Sequence, residues 1–310
     1  MAHAVLTASP NLLKKMKEHY ASYSKPVPPA HSLFSAKKNG TTITAYNSGK
    51  VVFQGNAADQ EAELWSSEAT VSEKAKKKPA PSASLPDGFA SWSVIGSDEV
   101  GTGSYFGPLT VVAAYVDRSQ MELVKELGVQ DSKNLTDKQI IAIAKDLLTF
   151  LPYSLLNVSP EKYNKIQPTM SQGKMKAVLH NQAIGNVLDK ISPHRPDAVL
   201  IDQFELPQTY YKHIRSEKQQ VKENVYFATK GESHHLAVAA ASILARYAFL
   251  KELETMSKQA GLLLPSGANA ASDVAAAKLL KKGGMSLLSK YAKLHFANTD
   301  KAKKIAGIKA

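Results

Sequence analysis

Ile95-Gly96-Ser97-Asp98-Glu99-Val100-Gly101-Thr102-Gly103-Ser104-Tyr105-Phe106-Gly107-Pro108, followed by the run LTVVAAYV at 109–116, is the stretch whose reading decides this chain. Trp92, Val94 and Ile95 predict a short buried strand, and the β-branched run at 109–116 predicts a second. Asp98 and Glu99 then fall where the first strand ends and a turn begins. A carboxylate beside buried strands is costly unless positive charge meets it, and two adjacent carboxylates repel. A divalent metal ion would resolve both problems. Gly101 and Gly103 can take positive φ and let the backbone approach a bulky ligand, with N–H groups free for hydroxyl or phosphate oxygens. The last glycine comes one residue late for the dinucleotide fingerprint, so a nucleotide-cofactor fold is a weak reading. A tight hairpin with an acid pair on its rim is the plain alternative.

Composition sets the outer limits. The 310 residues are 44% hydrophobic, enough for one large or two unequal domains. The formal charge of +12 favours a polyanionic partner, since Lys and Arg release counterions when they neutralise phosphates. With no cysteine, disulfides, thiolate catalysis and Cys-ligated metal are excluded. No apolar run reaches membrane-spanning length and the first residues lack a leader-like pattern, so a soluble, cytoplasmic protein is expected, with no membrane partner.

Along the chain, residues 1–66 form a pattern of their own. Leu12, Leu13, Met16 and Tyr20 recur at helical spacing behind Pro10; Ser32–Lys38, Thr41–Tyr46 and Val51–Gln54 predict strands, the last two joined by an Asn47-Ser48-Gly49 turn; 57–65 predicts a second helix. In the middle strand Ile43 and Ala45 share one face, against the helices, and Thr42, Thr44 and Tyr46 share the other. Tyr46 with Lys37, Lys38 and Lys50 could stack on and neutralise a nucleic acid; an ordinary solvated face is equally compatible. Residues 67–90, rich in Ser, Ala, Lys and Pro, predict a flexible linker whose Lys76, Lys77 and Lys78 read as a solvated charge run. From 91 to 310 strands and helices alternate: helices at 118–127, 136–149, 174–191 and 235–256, strands at 153–158, 198–201 and 225–228, and two or three short basic helices at the end. This pattern predicts an α/β sheet covered on both faces.

Two further acids stand out. Asp202 ends the apolar run Ala198–Ile201, and Glu232 lies just before the long helix. Singly, the first reads as a turn acid and the second as a helix-start acid. His234 and His235 beside Glu232 lack the spacing of a zinc motif.

The segment GSDEVGTGSYFGP, with Asp131-Ser132-Lys133, Ile201-Asp202, the run AAASILAR ending at Arg246 and the closing AKLHFANT at 292–299, resembles the bacterial ribonuclease HIII family, a type 2 ribonuclease H. The resemblance runs from about residue 92 to the end, and the region before it is similar to that family's N-terminal substrate-binding domain. It implies a ribonuclease H-like mixed sheet with its first three strands antiparallel, flanked by helices, and a small α+β domain resembling a TATA-binding-protein repeat. It implies a monomeric endoribonuclease that cuts the RNA strand of RNA/DNA hybrids, leaving 3′-hydroxyl and 5′-phosphate ends. Asp98, Glu99, Asp202 and Glu232 match the family's four catalytic, metal-holding acids. Two Mg²⁺ or Mn²⁺ ions about 4 Å apart suit such oxygen ligands and an in-line displacement. Adjacent strand residues point to opposite faces, so Glu99 is expected past the regular strand, or to act through water or its backbone carbonyl. Gly101, Thr102 and Gly103 would read 2′-hydroxyls. Lys133, Lys174 and Lys176 resemble phosphate contacts, and Thr42, Tyr46 and Lys50 would serve substrate binding in the first domain. Thr102, where the related ribonuclease HII usually has arginine, favours hybrids over single embedded ribonucleotides; HII-like cleavage and a non-catalytic nucleic-acid binder remain the alternatives. Ser104 and Ser266 depart from the family's expected aspartate and lysine.

Overall fold

The computed structural model describes residues 3–29, 32–66 and 85–308. Backbone proximity divides the chain into two compact units, residues 1–80 and 81–310. Most of the predicted linker, with its three lysines, lies outside the described residues. Its last part is not linker in character: Phe89 is buried in the second unit's core and Leu85 packs against it.

In the first unit β1 (His3–Thr7), β2 (Ser32–Lys38), β3 (Thr41–Tyr46) and β4 (Lys50–Gln54) make an antiparallel sheet of order β1-β4-β3-β2, with α1 (Pro10–His19) and α2 (Ala58–Ser66). Ser9 caps α1 by accepting from the Leu12 N–H, and Pro10 occupies the first turn, where a missing N–H costs nothing. Leu12, Leu13, Met16 and Tyr20 bury against Phe34, Ala36, Ile43, Ala45, Val51 and Phe53, the strand face predicted from alternation. Thr44, on the other face, is also buried and shares a 3.1 Å hydrogen bond with Ser35. β1 was not expected: five residues at the start of a chain carry too little periodicity to announce a strand.

In the second unit β5 (Val94–Val100), β6 (Leu109–Val116), β7 (Tyr153–Val158), β8 (Ala198–Asp202) and β9 (Val225–Ala228) form one sheet of order β7-β6-β5-β8-β9. β5, β6 and β7 pair antiparallel, whereas β8 and β9 join in parallel. The helices are α3 (Met121–Glu126), α4 (Asp137–Phe150), α5 (Pro160–Ile166), α6 (Gln172–Ile191), α7 (Pro207–His213), α8 (Leu236–Ala260), α9 (Ala270–Tyr291) and α10 (Asn298–Ala306). The α/β reading therefore stands, with differences. Asp117 caps a short 3-10 turn that replaces the first part of the helix predicted at 118–127. The short helices α5 and α7 were not anticipated. The chain closes on longer helices than expected, α9 being bent where Gly284 takes φ +65°.

Alternation along β5 sorts the layers. Val94 buries with α4 and α8, and Ile95 buries with α6 and α7. A Cβ at Gly96 would fall on the backbone of Ala237 and Val238, so glycine and the alanine-rich start of α8 together let that helix lie directly on the sheet. The C-terminal helices gather with the end of α8 around the buried rings of Tyr105 and Phe106.

Candidate active site

Strand register brings the first two acids together. β5 and β8 run parallel with Ser97 opposite Ile201, so the next residues, Asp98, still paired with Val112 of β6, and Asp202, the last of β8, lie side by side on neighbouring strands. Asp98 is buried, and its Oδ1 accepts from the Glu99 N–H at 2.7 Å. Burial, followed by the charges of Glu99 and Asp202, pushes its carboxyl up to about 8. Asp202 accepts from the Gly231 N–H at 2.8 Å, and burial with the charges of Glu232 and Glu99 raises it as well. Glu232 enters from the 3-10 turn between β9 and α8, placed there by Lys230 in a left-handed conformation. The four acids are thus linked electrostatically, Asp98 to Glu99 and Asp202, and Asp202 to Glu99 and Glu232.

Of the alternatives for Glu99, a place past the strand is excluded. It lies inside β5, paired with Val111, and not beyond the strand. Its carboxylate meets α6: Lys176 Nζ stands 2.8 Å from Oε1 and His180 Nε2 stands 3.0 Å from Oε2. Burial opposes ionisation there, but His180 and then Lys176 outweigh it, and the carboxyl is held below its ordinary range. His180 is fully buried, and its Nδ1 lies 2.6 Å from the Ser97 hydroxyl, which donates to the Val112 carbonyl. Lys176 also sits 4.1 Å over the Phe204 ring, two residues past Asp202. Lys176, expected on phosphate, is here a buried partner of Glu99. Lys133 donates to Glu232 at 2.6 Å while its own side chain stays largely exposed.

Among the described residues, no three His, Cys, Asp or Glu side chains stand close enough to form a ready-made metal cage. Glu99 and Glu232 are each paired with basic side chains, Glu99 with Lys176 and His180 and Glu232 with Lys133. The donor set nevertheless suits a hard dication. It is all oxygen, and Asp98 is buried among negative neighbours with no ion-pair partner among the described residues.

The glycine turn is tightly built. Gly101 takes φ +96°, and a Cβ there would strike the Pro108 carbonyl; Gly103 has open space. Thr102 accepts through its carbonyl from Gln172 at 3.3 Å, while its buried Oγ1 has no hydrogen-bond partner. Ser104 is buried, donating to the Phe106 carbonyl and accepting from the Gly267 N–H, both at 2.9 Å. Its departure from aspartate thus serves local structure. Lys293 is fully buried and donates to the carbonyls of Ser104 and Gly107 at 2.7 and 2.6 Å. His235 caps α8 and contacts the Trp92 carbonyl at 3.0 Å, so it is a structural histidine. Lys174 lies in the first turn of α6. In the first unit Thr42 and Tyr46 are half-buried on one face of β3, and Lys50 is exposed at the start of β4.

The ribonuclease HII family profile matches residues 95–299, and a family described only as a domain of unknown function matches residues 3–78. A ribonuclease HIII of Bacillus licheniformis is 54% identical over 99% of both chains. The chain belongs to the ribonuclease HIII family. A Bacillus cereus ribonuclease HIII is 53% identical over 96% of this chain and 97% of its own. The crystal structure of Bst-RNase HIII in complex with Mn²⁺ is similar at 44% identity and a TM-score of 0.71, covering 98% of this chain and 99% of that one. For a ribonuclease HIII, the residue that sequence reasoning missed is His180. Its only signal was a position four residues after Lys176, which puts both on one face of α6.

Proposed function

We propose that this chain hydrolyses the RNA strand of RNA/DNA hybrids at the acid cluster, leaving 3′-hydroxyl and 5′-phosphate ends. The observation that carries this is the register that sets Asp98 and Asp202 side by side on neighbouring parallel strands, with the Asp98 carboxyl pushed up by burial and then by the charges of Glu99 and Asp202. Asp98 and Asp202 would hold two divalent ions, Mg²⁺ or Mn²⁺, with Glu99 and Glu232 at their edges. When bound, such ions supply an activated water and charge stabilisation for the leaving oxygen. Lys176 and His180 fix the Glu99 carboxylate, and Lys133 neutralises Glu232 until a phosphate arrives to share its charge. The backbone groups of Gly101, Thr102 and Gly103 in the glycine turn would read the ribose hydroxyls. In the first unit, Thr42, Tyr46 and Lys50 would grip the duplex.

A strand-labelled hybrid, incubated with and without Mg²⁺, tests this. Cleavage of the RNA strand alone, lost in Asp98→Asn and Asp202→Asn with hybrid binding retained, is the expected result; turnover in either variant refutes it. A duplex with one embedded ribonucleotide distinguishes the HII-like reading, for which efficient cutting would speak. Deleting residues 1–66 should raise the Kd for hybrid more than it slows single-turnover cleavage of bound substrate.

A further inference from the structure

Ile95, Ser97 and Glu99 are alternate residues of β5 and face α6, whereas Asp98 faces Ser242 of α8. Ser97 and Glu99 therefore stand about 7 Å apart along one face of the strand, and the imidazole of His180 bridges them. Ser97 donates its one hydroxyl hydrogen to the Val112 carbonyl at 3.0 Å, so its oxygen accepts from His180 Nδ1 at 2.6 Å. Nε2 then meets Glu99 Oε2 at 3.0 Å, while Lys176, one helical turn earlier, takes Oε1 at 2.8 Å. Neither Ser97 nor His180 is exposed to solvent.

A further contact leads to the second acid strand. The His180 ring stacks on Phe204 with centroids 5.1 Å apart and planes inclined by 22°, and Lys176 lies over the same ring. Phe204 follows Asp202 by two residues, in the bend after β8. One imidazole thus touches both the strand that carries Asp98 and Glu99 and the bend that follows Asp202. Packing alone does not call for such a cluster, since apolar side chains of similar volume would fill the space without desolvating charge. What it supplies is direction. Each Glu99 oxygen gives one acceptor position to a basic partner and keeps another, on a side chain that is still 12% exposed.

We propose that His180, anchored by Ser97 and stacked on Phe204, is a positioning residue that sets the Glu99 carboxylate and the bend after Asp202 for divalent-ion binding. The inference rests on the hydrolase reading above and deepens it by adding Ser97 and Phe204 to the support of the acids. His180 acts through Glu99 and Phe204, so its loss should register in metal affinity and kcat and leave KM for hybrid alone. Removing a side chain that orients a metal ligand costs about 10- to 100-fold in metal affinity or activity.

The test compares the full chain with its His180→Asn, His180→Gln and Ser97→Ala variants. An asparagine amide takes the place of Nδ1 and keeps the bond to Ser97 but falls short of Glu99. A glutamine amide takes the place of Nε2 and keeps Glu99 but loses Ser97. Each forfeits one hydrogen bond, so a purely structural role would make the two alike. Mn²⁺ binding to metal-free protein is titrated by electron paramagnetic resonance, and kcat and KM for a labelled hybrid are measured at one fixed Mn²⁺ concentration. His180→Asn should bind Mn²⁺ about 10- to 100-fold more weakly, with kcat lowered in step and KM within about twofold of wild type. His180→Gln and Ser97→Ala should lose less than about tenfold. Equal impairment of the asparagine and glutamine variants would overturn the inference, as would wild-type Mn²⁺ affinity in His180→Asn or a change confined to KM. Should neither His180 variant fold, unchanged Mn²⁺ affinity in Ser97→Ala overturns it. A wild type that binds Mn²⁺ but cuts no hybrid sinks the hydrolase reading, while the Mn²⁺ titrations of the variants still decide the positioning role.

Discussion

Replacing Asp98 by asparagine should stabilise the metal-free protein while removing its activity. The Asp98 carboxyl is displaced from an ordinary 3.8 to about 8 in the folded chain. An acid whose folded value is raised costs nothing below its unfolded pKa. The cost grows as pH rises and levels off above the folded value. At about 1.36 kcal/mol per pH unit, it reaches roughly 4 kcal/mol at pH 7 and no more than about 6 above pH 8. Asparagine removes that penalty but must accommodate an amide near Ser242 and the Glu99 N–H, at a cost of about 1–2 kcal/mol. The net gain near pH 8 is about 2–4 kcal/mol, a Tm increase of roughly 5–15 °C for a unit of this size. Thermal unfolding of both proteins in EDTA at pH 5 and pH 8 measures it. The gap should be wide at pH 8, narrow at pH 5, and reduced when Mn²⁺ stabilises wild type preferentially. An asparagine variant less stable than wild type at pH 8, or a gap independent of pH, would refute the electrostatic account of this site.

Gly96→Ala should lower stability by about 3 kcal/mol or more, because the added methyl meets the α8 backbone, which has no freedom to yield; loss of soluble protein or a sharply lower urea midpoint is the expected readout. His235→Asn keeps a side chain able to cap α8 but removes a buried imidazole that burial holds down at about 4. A base with a lowered folded pKa loses stability as pH falls from about 6.5 to about 4, by at most about 3 kcal/mol. Unfolding free energies of the variant should therefore stay flatter than wild type across that window; parallel curves would contradict this. Lys293→Met leaves the Ser104 and Gly107 carbonyls buried without their donor. A loss of about 2 kcal/mol and faster amide exchange at residues 104–107 should follow, while a rigid, unshifted loop would speak against the clamp.

The sheet was legible because alternation and β-branching are local signals. Val94, Ile95 and the run at 109–116 declared their strands, and the wholly apolar Ala198–Ile201 declared a strand buried on both faces. Short helices such as α7 were not, since seven residues offer barely two turns of periodicity. Asp98 and Asp202 could be picked out as carboxylates at the ends of apolar runs, and the resemblance supplied their partnership. Glu99 shows the limit. Alternation correctly said that it faces away from Asp98, but no local signal said that α6 would send Lys176 and His180 to meet it. A lysine and a histidine on a helix look solvated until the tertiary fold decides which face is inside.

The clasp on the glycine turn bears on synthesis. Lys293 and Thr299, which hold Ser104, Tyr105 and Gly107, are translated well after the last strand of the sheet, Val225–Ala228. A growing chain can complete its five-stranded sheet long before this support exists. Cutting activity should therefore be withheld until residues 293–299 leave the ribosome, and a product cut short before residue 292 should lack it.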